Sequence, residues 1–258
     1  MPRMPRNSAI QIAVLAAVLT LAVGAGAALV PEEPPTAESI AAEVLQALGG
    51  EQAWQQTRFV RFTFAGRRTH HWDTWTGRHR VEGQTQAGKA YVVLHDLDDR
   101  QGQAWLDGAP ATGEEAARLL ESAYGAWIND TYWLLMPYKL RDPGVTLSYE
   151  GVEEVGGRPH DVLHLAFAGV GLTPGDQYWA YVDRHTRLMT RWAYRLQNMA
   201  PDQAPTVWEW RDWQRYGGIL LAPLRVQVGG DRQLELSGIA VFDELPDAVF
   251  TSPEPVER

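Results

Sequence analysis

Thr206-Val207-Trp208-Glu209-Trp210-Arg211-Asp212-Trp213 switches between large aromatic and polar residues at every second position. That is the period of a β-strand and not of a helix, so Trp208 and Trp210 share one face while Val207, Glu209 and Arg211 share the other. The pattern recurs on both sides of this stretch. Trp192 and Tyr194 alternate with Arg191, Ala193 and Arg195, Trp179 and Tyr181 share a face on the preceding run, and Phe62 and Phe64 alternate with Arg61 and Thr63. Glycine-bearing pairs such as Thr76-Gly77, Ala87-Gly88, Asp107-Gly108, Gly156-Gly157 and Gly217-Gly218 separate the runs and favour tight turns. From 58–64 to 234–242 the spacing predicts an antiparallel meander of about eleven strands.

Helical signals interrupt the meander. Ile40, Val44, Leu45 and Leu48 form an apolar stripe that Gly49-Gly50 stops. Thr112-Gly113-Glu114-Glu115 has the spacing of a capping box before Leu119, Leu120 and Ala123. Asp130 reads as the cap of a second helical turn through Leu134, which Pro137 ends. The fold class expected is α+β, mainly β: a single curved antiparallel sheet, a half-barrel, with helices against its concave face. It occupies 37–253 as one domain, with a tail at 254–258.

The N-terminus reads as a targeting segment. Arg3 and Arg6 precede an uncharged stretch at 9–30, Ala25-Gly26-Ala27 offers a small-residue cleavage site, and Pro31, Pro34 and Pro35 follow. A signal peptide over 1–27 and a linker over 28–36 are expected, so the body is periplasmic or otherwise exported. An uncleaved leader would instead anchor it in the membrane, since the 22 uncharged residues reach the ~20 that span a bilayer. The whole chain carries 23 basic and 32 acidic residues, and losing Arg3 and Arg6 moves the net charge from −9 to −11. Such a surface excludes a nucleic-acid partner, which needs a basic stripe. With no cysteine there is no disulfide, no thiol chemistry and no cysteine-linked lipid.

Few residues carry a chemical motif. His70-His71-Trp72-Asp73, with His79 nearby, is the strongest candidate for acid–base work, and an exported hydrolase using His71 or Asp73 is one alternative. In a strand, however, His70 and His71 face opposite ways, and zinc would need ligands from elsewhere. His160 and His164 lie about 13 Å apart along one strand. His95-Asp96-Leu97-Asp98-Asp99 lacks the spacing of a calcium loop and reads as an acidic turn. No Gly-x-Ser-x-Gly, Walker loop or dinucleotide fingerprint occurs, so no catalytic residue, metal or cofactor is expected.

Three stretches resemble the LolA/LolB-like superfamily of exported lipoprotein carriers and their lipid-binding relatives. They are Leu48-Gly49-Gly50 with Trp54, the hairpin Tyr181-Val182-Asp183-Arg184-His185-Thr186-Arg187-Leu188, and Gly217-Gly218-Ile219-Leu220-Leu221-Ala222-Pro223 with the closing Leu245-Pro246-Asp247-Ala248-Val249-Phe250-Thr251-Ser252-Pro253. The resemblance implies an open half-barrel whose helices enclose an apolar cavity for acyl chains. Trp72-Asp73-Thr74-Trp75 and the run at 129–140 stand outside that family's motifs.

The aromatic residues Trp72, Trp75, Tyr132, Trp133, Tyr138, Trp179, Trp192, Trp208 and Trp210 are the candidate ligand wall, with Lys139 and Arg141 at its rim. Sheet packing is the competing explanation of the same residues, and an outward recognition patch is another. The function expected is a non-enzymatic carrier or binding protein for a lipid, a lipoprotein acyl group or a similar amphiphile. The remaining alternative is a structural or sensory half-barrel that binds a membrane-associated protein partner.

Overall fold

The computed structural model describes residues 34–169, 172–200 and 202–256, so the leader expected at 1–27 lies outside the described residues. Contacts divide the chain into Met1–Pro34 and Pro35–Arg258, and every element below belongs to the second unit.

Thr36 starts the first helix, α1 (Ala37–Ala47). Its Oγ1 accepts from Ser39 N at 3.1 Å, and its own N–H donates to Ser39 Oγ at 3.0 Å. Two backbone donors without partners inside the helix are satisfied in this way. The stripe Ile40, Ala41 and Val44 is buried. Gly49 then turns the chain with φ +126° into α2 (Gly50–Gln56). A Cβ on Gly49 would lie 2.4 Å from Gly218 O. Backbone conformation and contact thus both demand glycine, and two of the stretches that resemble the LolA-like family touch here. Gly49→Ala is expected to cost about 2 kcal/mol and to lower the melting temperature by about 4–8 °C in a calorimetric scan.

A meander follows: β1 (Phe59–Phe64), β2 (Arg68–Asp73), β3 (Arg78–Gln84), β4 (Ala90–Asp96), β5 (Gly102–Leu106) and the short β6 (Ala109–Pro110). Helix α3 (Gly113–Leu135) and a 3-10 turn at Met136–Tyr138 lead to the second set. This comprises β7 (Val145–Val155), β8 (Arg158–Phe167), β9 (Gln177–Asp183), β10 (Met189–Arg195), β11 (Thr206–Arg211), β12 (Gln214–Tyr216), β13 (Ile219–Leu221), β14 (Leu224–Gln227) and β15 (Gln233–Phe242), before α4 (Ala248–Thr251). Thirteen strands form one curved antiparallel sheet in the order β6-β5-β4-β3-β2-β1-β15-β14-β11-β10-β9-β8-β7, and β12 and β13 pair separately. The last strand, β15, joins the two meanders by pairing with β1 and β14. Among the described residues no helix is long and apolar enough to cross a membrane.

The fold class matches the expectation, with more strands than the alternation suggests. The run at 206–215 breaks at Asp212, whose φ is +65°, into β11 and β12. The run at 220–228 breaks at Ala222-Pro223 into β13 and β14, because proline has no N–H to give a ladder. The two helical pieces expected around Thr112 and Asp130 are corrected to one 23-residue helix. Thr112 makes no side-chain cap, and Asp130 is a fully buried mid-helix residue bound to Arg68 and His70.

Helix α3 is fastened to the sheet at two places. Arg68 Nη2 donates to Asp130 Oδ1 at 2.7 Å and His70 Nε2 lies 2.9 Å from Asp130 Oδ2. Three residues further on, Arg225 of β14 donates to Trp133 O at 2.5 Å and to Ala222 O at 2.6 Å. Its guanidinium stacks 3.3 Å from the Trp210 ring centroid. Burial pushes the Arg225 pKa well below its usual value. The carbonyl it holds is in the last turn of α3, where helical carbonyls lack partners and the macrodipole is negative.

Candidate ligand cavity beneath helix α3

The aromatic residues of the strands converge as the period predicts, but they fill the space between sheet and helix. Trp192 and Trp208 are cross-strand partners. Trp133 of α3 stands edge-on to both, with ring centroids 4.9 and 5.2 Å away, and Trp192 meets Trp210 at 5.5 Å. Trp192, Trp208 and Trp210 are at most 2% exposed. T-shaped packing of this kind leaves little void and adds about 0.5–1.5 kcal/mol per pair beyond area burial.

The open space lies beside that cluster. A cavity of about 450 Å³ runs between α3, the 139–143 connection and the loop from β8 to β9. Trp127, Ile128, Thr131, Tyr132 and Trp133 form its helical wall, and Val145, Phe167, Leu172, Tyr178 and Leu196 form the rest. Tyr132 meets Tyr178 at 5.1 Å and Trp192 at 5.9 Å, so the cavity wall rests on the aromatic core. Tyr132 Oη and Trp127 Nε1 are buried and have no hydrogen-bond partner among the described residues. Burial pushes the Tyr132 pKa well up, so the phenol stays protonated and can donate.

Polar groups are few. Lys139 Nζ pairs with Asp142 Oδ2 at 3.1 Å, and both line the cavity. Asp176, 3% exposed, accepts from Thr173 Oγ1 at 2.6 Å and from Gln197 N at 2.8 Å. Arg141 does not join Lys139. It lines a second hollow of about 370 Å³ under α1 and α2, together with Trp54 and Tyr138. Tyr138 works as a clamp there: its Oη is 2.9 Å from both Leu48 O and Leu220 O and accepts from Leu220 N at 3.1 Å.

Of the nine aromatic residues singled out in the sequence, the structure puts Tyr132 and Trp133 on the cavity wall and Trp192, Trp208 and Trp210 in the core behind it. Trp72 is buried edge-on to Trp127 at 5.5 Å. Trp179 points to the other face of the sheet, where it packs on His164 at 5.0 Å. Trp75 is 60% exposed and donates from Nε1 to Gln55 O. Trp127, Ile128, Phe167 and Tyr178 complete the wall and escaped sequence reasoning, because α3 reads as broken around the first two and the other two sit at strand ends beside the loop that closes the cavity.

The histidine-rich stretch separates by face, as its period requires. His71 and Asp73 share one face of β2. Asp73 is held by Arg58 and Arg78 at 3.3 and 3.2 Å and accepts from Trp75 N. Burial pushes its pKa up, but the hydrogen bonds outweigh that and hold it below the usual value. Burial, with Arg61 and Arg80 nearby, lowers His71 to about 4. On the opposite face His70 Nδ1 lies 2.9 Å from His79 Nε2, and His79 Nδ1 lies 2.6 Å from His95 Nε2. Among the described residues no group of three or more His, Cys, Asp or Glu is arranged to hold a metal ion.

No family model matches the chain, and no curated protein does. Solved structures resemble it in fold. A DUF1329 family protein from Desulfovibrio piger is 12% identical, covers 83% of this chain and 96% of its own, and gives a TM-score of 0.46. A LolA superfamily protein from Nitrosomonas europaea is 12% identical, covers 85% of this chain and 99% of its own, and gives 0.39. A putative outer membrane lipoprotein-sorting protein domain from Vibrio parahaemolyticus is 10% identical, covers 82% and 94%, and gives 0.43. The open antiparallel sheet with helices packed on it, expected from the sequence, is the layout this chain has.

Proposed function

We propose that this chain is an exported, non-enzymatic carrier or binding protein for an amphiphile, held by its acyl chain in the cavity beneath α3. The observation that carries the reading is the cavity itself: about 450 Å³, walled by Trp127, Ile128, Tyr132, Trp133, Phe167 and Leu172. That volume is within the range of small-molecule sites, which are mostly apolar with a few placed polar groups. Moving about ten methylenes out of water contributes about 8 kcal/mol before ordering costs. Tyr132 Oη, Trp127 Nε1 and the Lys139 ammonium are donors without acceptors of their own, apart from Asp142, and they suit the ester or carboxylate oxygens of a lipid head. Trp192, Trp208 and Trp210 serve as the rigid floor on which the wall rests. Trp75 is the one tryptophan exposed beyond a third of its surface, which gives an outward recognition patch little area and favours lipid over a protein partner.

Ile128→Trp, which fills the cavity from a half-buried position on α3, is expected to weaken binding of a fluorescent fatty-acyl probe about tenfold. The delipidated wild-type protein should bind the probe with a 1:1 stoichiometry. Absence of uptake by the wild type, or identical affinity in Ile128→Trp, would overturn the proposal.

A further inference from the structure

Asp130, His70, His79 and His95 lie in series on neighbouring elements, and each contact is a hydrogen bond: 2.9, 2.9 and 2.6 Å. The register produces this. His79 pairs with His95 across β3 and β4, and His70 pairs with Val81, two residues from His79 on the same face. All four side chains are at most 5% exposed. Gly102, opposite His95, leaves no room for change, since a Cβ there would sit 2.5 Å from His95 Cβ.

One end fixes the direction of every proton in the chain. Asp130 is a carboxylate: burial raises its pKa, but the hydrogen bonds from Arg68 and His70 outweigh that and hold it below the usual value. It can only accept, so His70 carries its proton on Nε2 and presents a lone pair at Nδ1. That lone pair requires a donor, so His79 is protonated at Nε2 and bare at Nδ1. The same step makes His95 protonated at Nε2, and its bare Nδ1 is buried with no partner among the described residues.

We infer that Asp130, His70, His79 and His95 form a tautomer-locked proton relay, loaded at His95 Nδ1 and discharging at the Arg68–Asp130 pair that fastens α3. A proton that binds His95 Nδ1 forms an N–H bond there. The His95 Nε2–H bond breaks as His79 Nδ1–H forms, the His79 Nε2–H bond breaks as His70 Nδ1–H forms, and the His70 Nε2 proton passes to Asp130 Oδ2. The balance is one proton gained, Asp130 neutral, and three neutral imidazoles in the opposite tautomer. No hydrogen bond of the chain is lost, but Arg68 loses its counter-charge.

The charged and titratable groups that act on the chain are Arg68 and Tyr91 on its own face, His71 and Asp96 through the sheet, and the neutral amide of Asn129 on α3, which donates to Asp130 at 2.8 Å. Burial and His70 oppose a positive charge on His95 and Asp96 favours it; burial prevails, and the relay stays unloaded at neutral pH. The relay does not depend on what the cavity holds. If an amphiphile does bind, the loaded state loosens the helix that supplies Trp127, Ile128 and Tyr132 to the wall.

Nitrogen-15 NMR of histidine-labelled full-length protein tests the assignment. At pH 7 all three imidazoles are expected in the Nε2–H form; a proton on Nδ1 of any of them overturns the lock. On acidification the Asp130 carboxyl carbon should shift in the same step as His95, while His70 and His79 change tautomer. His79→Gln can still donate to His70 and accept from His95 but cannot pass a proton, so Asp130 should stop following His95. A shift of Asp130 that persists in this variant, or a His95 that charges while Asp130 stays still in the wild type, overturns the relay. Asp130→Leu, which leaves His70 Nε2 without an acceptor, should release the lock at all three histidines. If neither variant folds, by near-ultraviolet circular dichroism, the tautomer and carboxyl shifts of the unmodified protein decide.

Discussion

Lowering the pH from 7 to 4 is expected to remove about 6 kcal/mol of folding stability, with the loss beginning above the range in which carboxylates titrate. Burial is the first cause: it holds His71 and His95 at about 4 in the folded protein. An unfolded chain binds the same protons near 6.5. Between those values the unfolded state carries more protons, so stability falls as pH falls through the window and levels off below about 4 for these two groups. Each contributes about 3 kcal/mol, since one pKa unit is about 1.4 kcal/mol. His70 and His79 are lowered as well and add in the same direction. Asp73, Asp183 and Glu209 are held below their usual values, and their contribution is lost only at lower pH. Against a typical total of about 5–15 kcal/mol, a loss of this size brings the protein near unfolding at pH 4. Urea midpoints measured at pH 7, 6, 5 and 4 decide it: a curve flat down to pH 5 would rule out the buried neutral histidines.

Particular residues show how far the sequence could be read. Trp208 and Trp210 lie on one buried face, as the alternation says, because burying one face of a strand makes its period visible. Asp212 breaks the same run through a positive φ at a residue other than glycine, which no local pattern announces. Asp130 reads as a helix cap because aspartate caps well; its true partner, Arg68, is 62 residues away and becomes its neighbour only once the sheet is assembled. The relay was hidden for the same reason. His70, His79 and His95 each look like isolated strand residues until the register of β2, β3 and β4 puts them in line.

The cavity illustrates a different limit. Period-two reasoning gathers large aromatics on one face and suggests that they surround a space, but it says nothing about how rings of that size pack. Edge-on contacts at 4.9–5.5 Å between Trp133, Trp192, Trp208 and Trp210 close the centre. Beside that cluster, room remains where α3 passes over the β7–β9 edge and loops complete the wall. Helical residues at i, i+1, i+4 and i+5, from Trp127 to Thr131 and Tyr132, carry that signal, and a helix assumed to stop before Asp130 conceals it.

Replacing Arg68 by methionine is expected to cost about 4 kcal/mol, roughly twice the cost of Asp130→Asn, although both changes remove the same ion pair. The asymmetry comes from which charge is stranded. The Arg68 side chain is 26% exposed and can recover water when Asp130 is neutralised, whereas the Asp130 side chain is fully buried and cannot. A buried carboxylate left with only His70 and Asn129 as donors is the uncompensated charge that makes breaking such pairs cost about 3–5 kcal/mol. Asparagine at 130 keeps an acceptor for His70, so the variant loses charge but not the whole contact. The double variant should therefore be more stable than Arg68→Met alone, a reversal that simple additivity forbids. Without the guanidinium the Asp130 pKa must rise, so the Arg68→Met penalty should shrink as the pH falls through it and the buried acid is neutralised. Chemical denaturation of the three variants at pH 7 and pH 5 measures both effects. Equal costs for the two single changes, or a double variant weaker than Arg68→Met, would show that the pair is not what fastens α3 to the sheet.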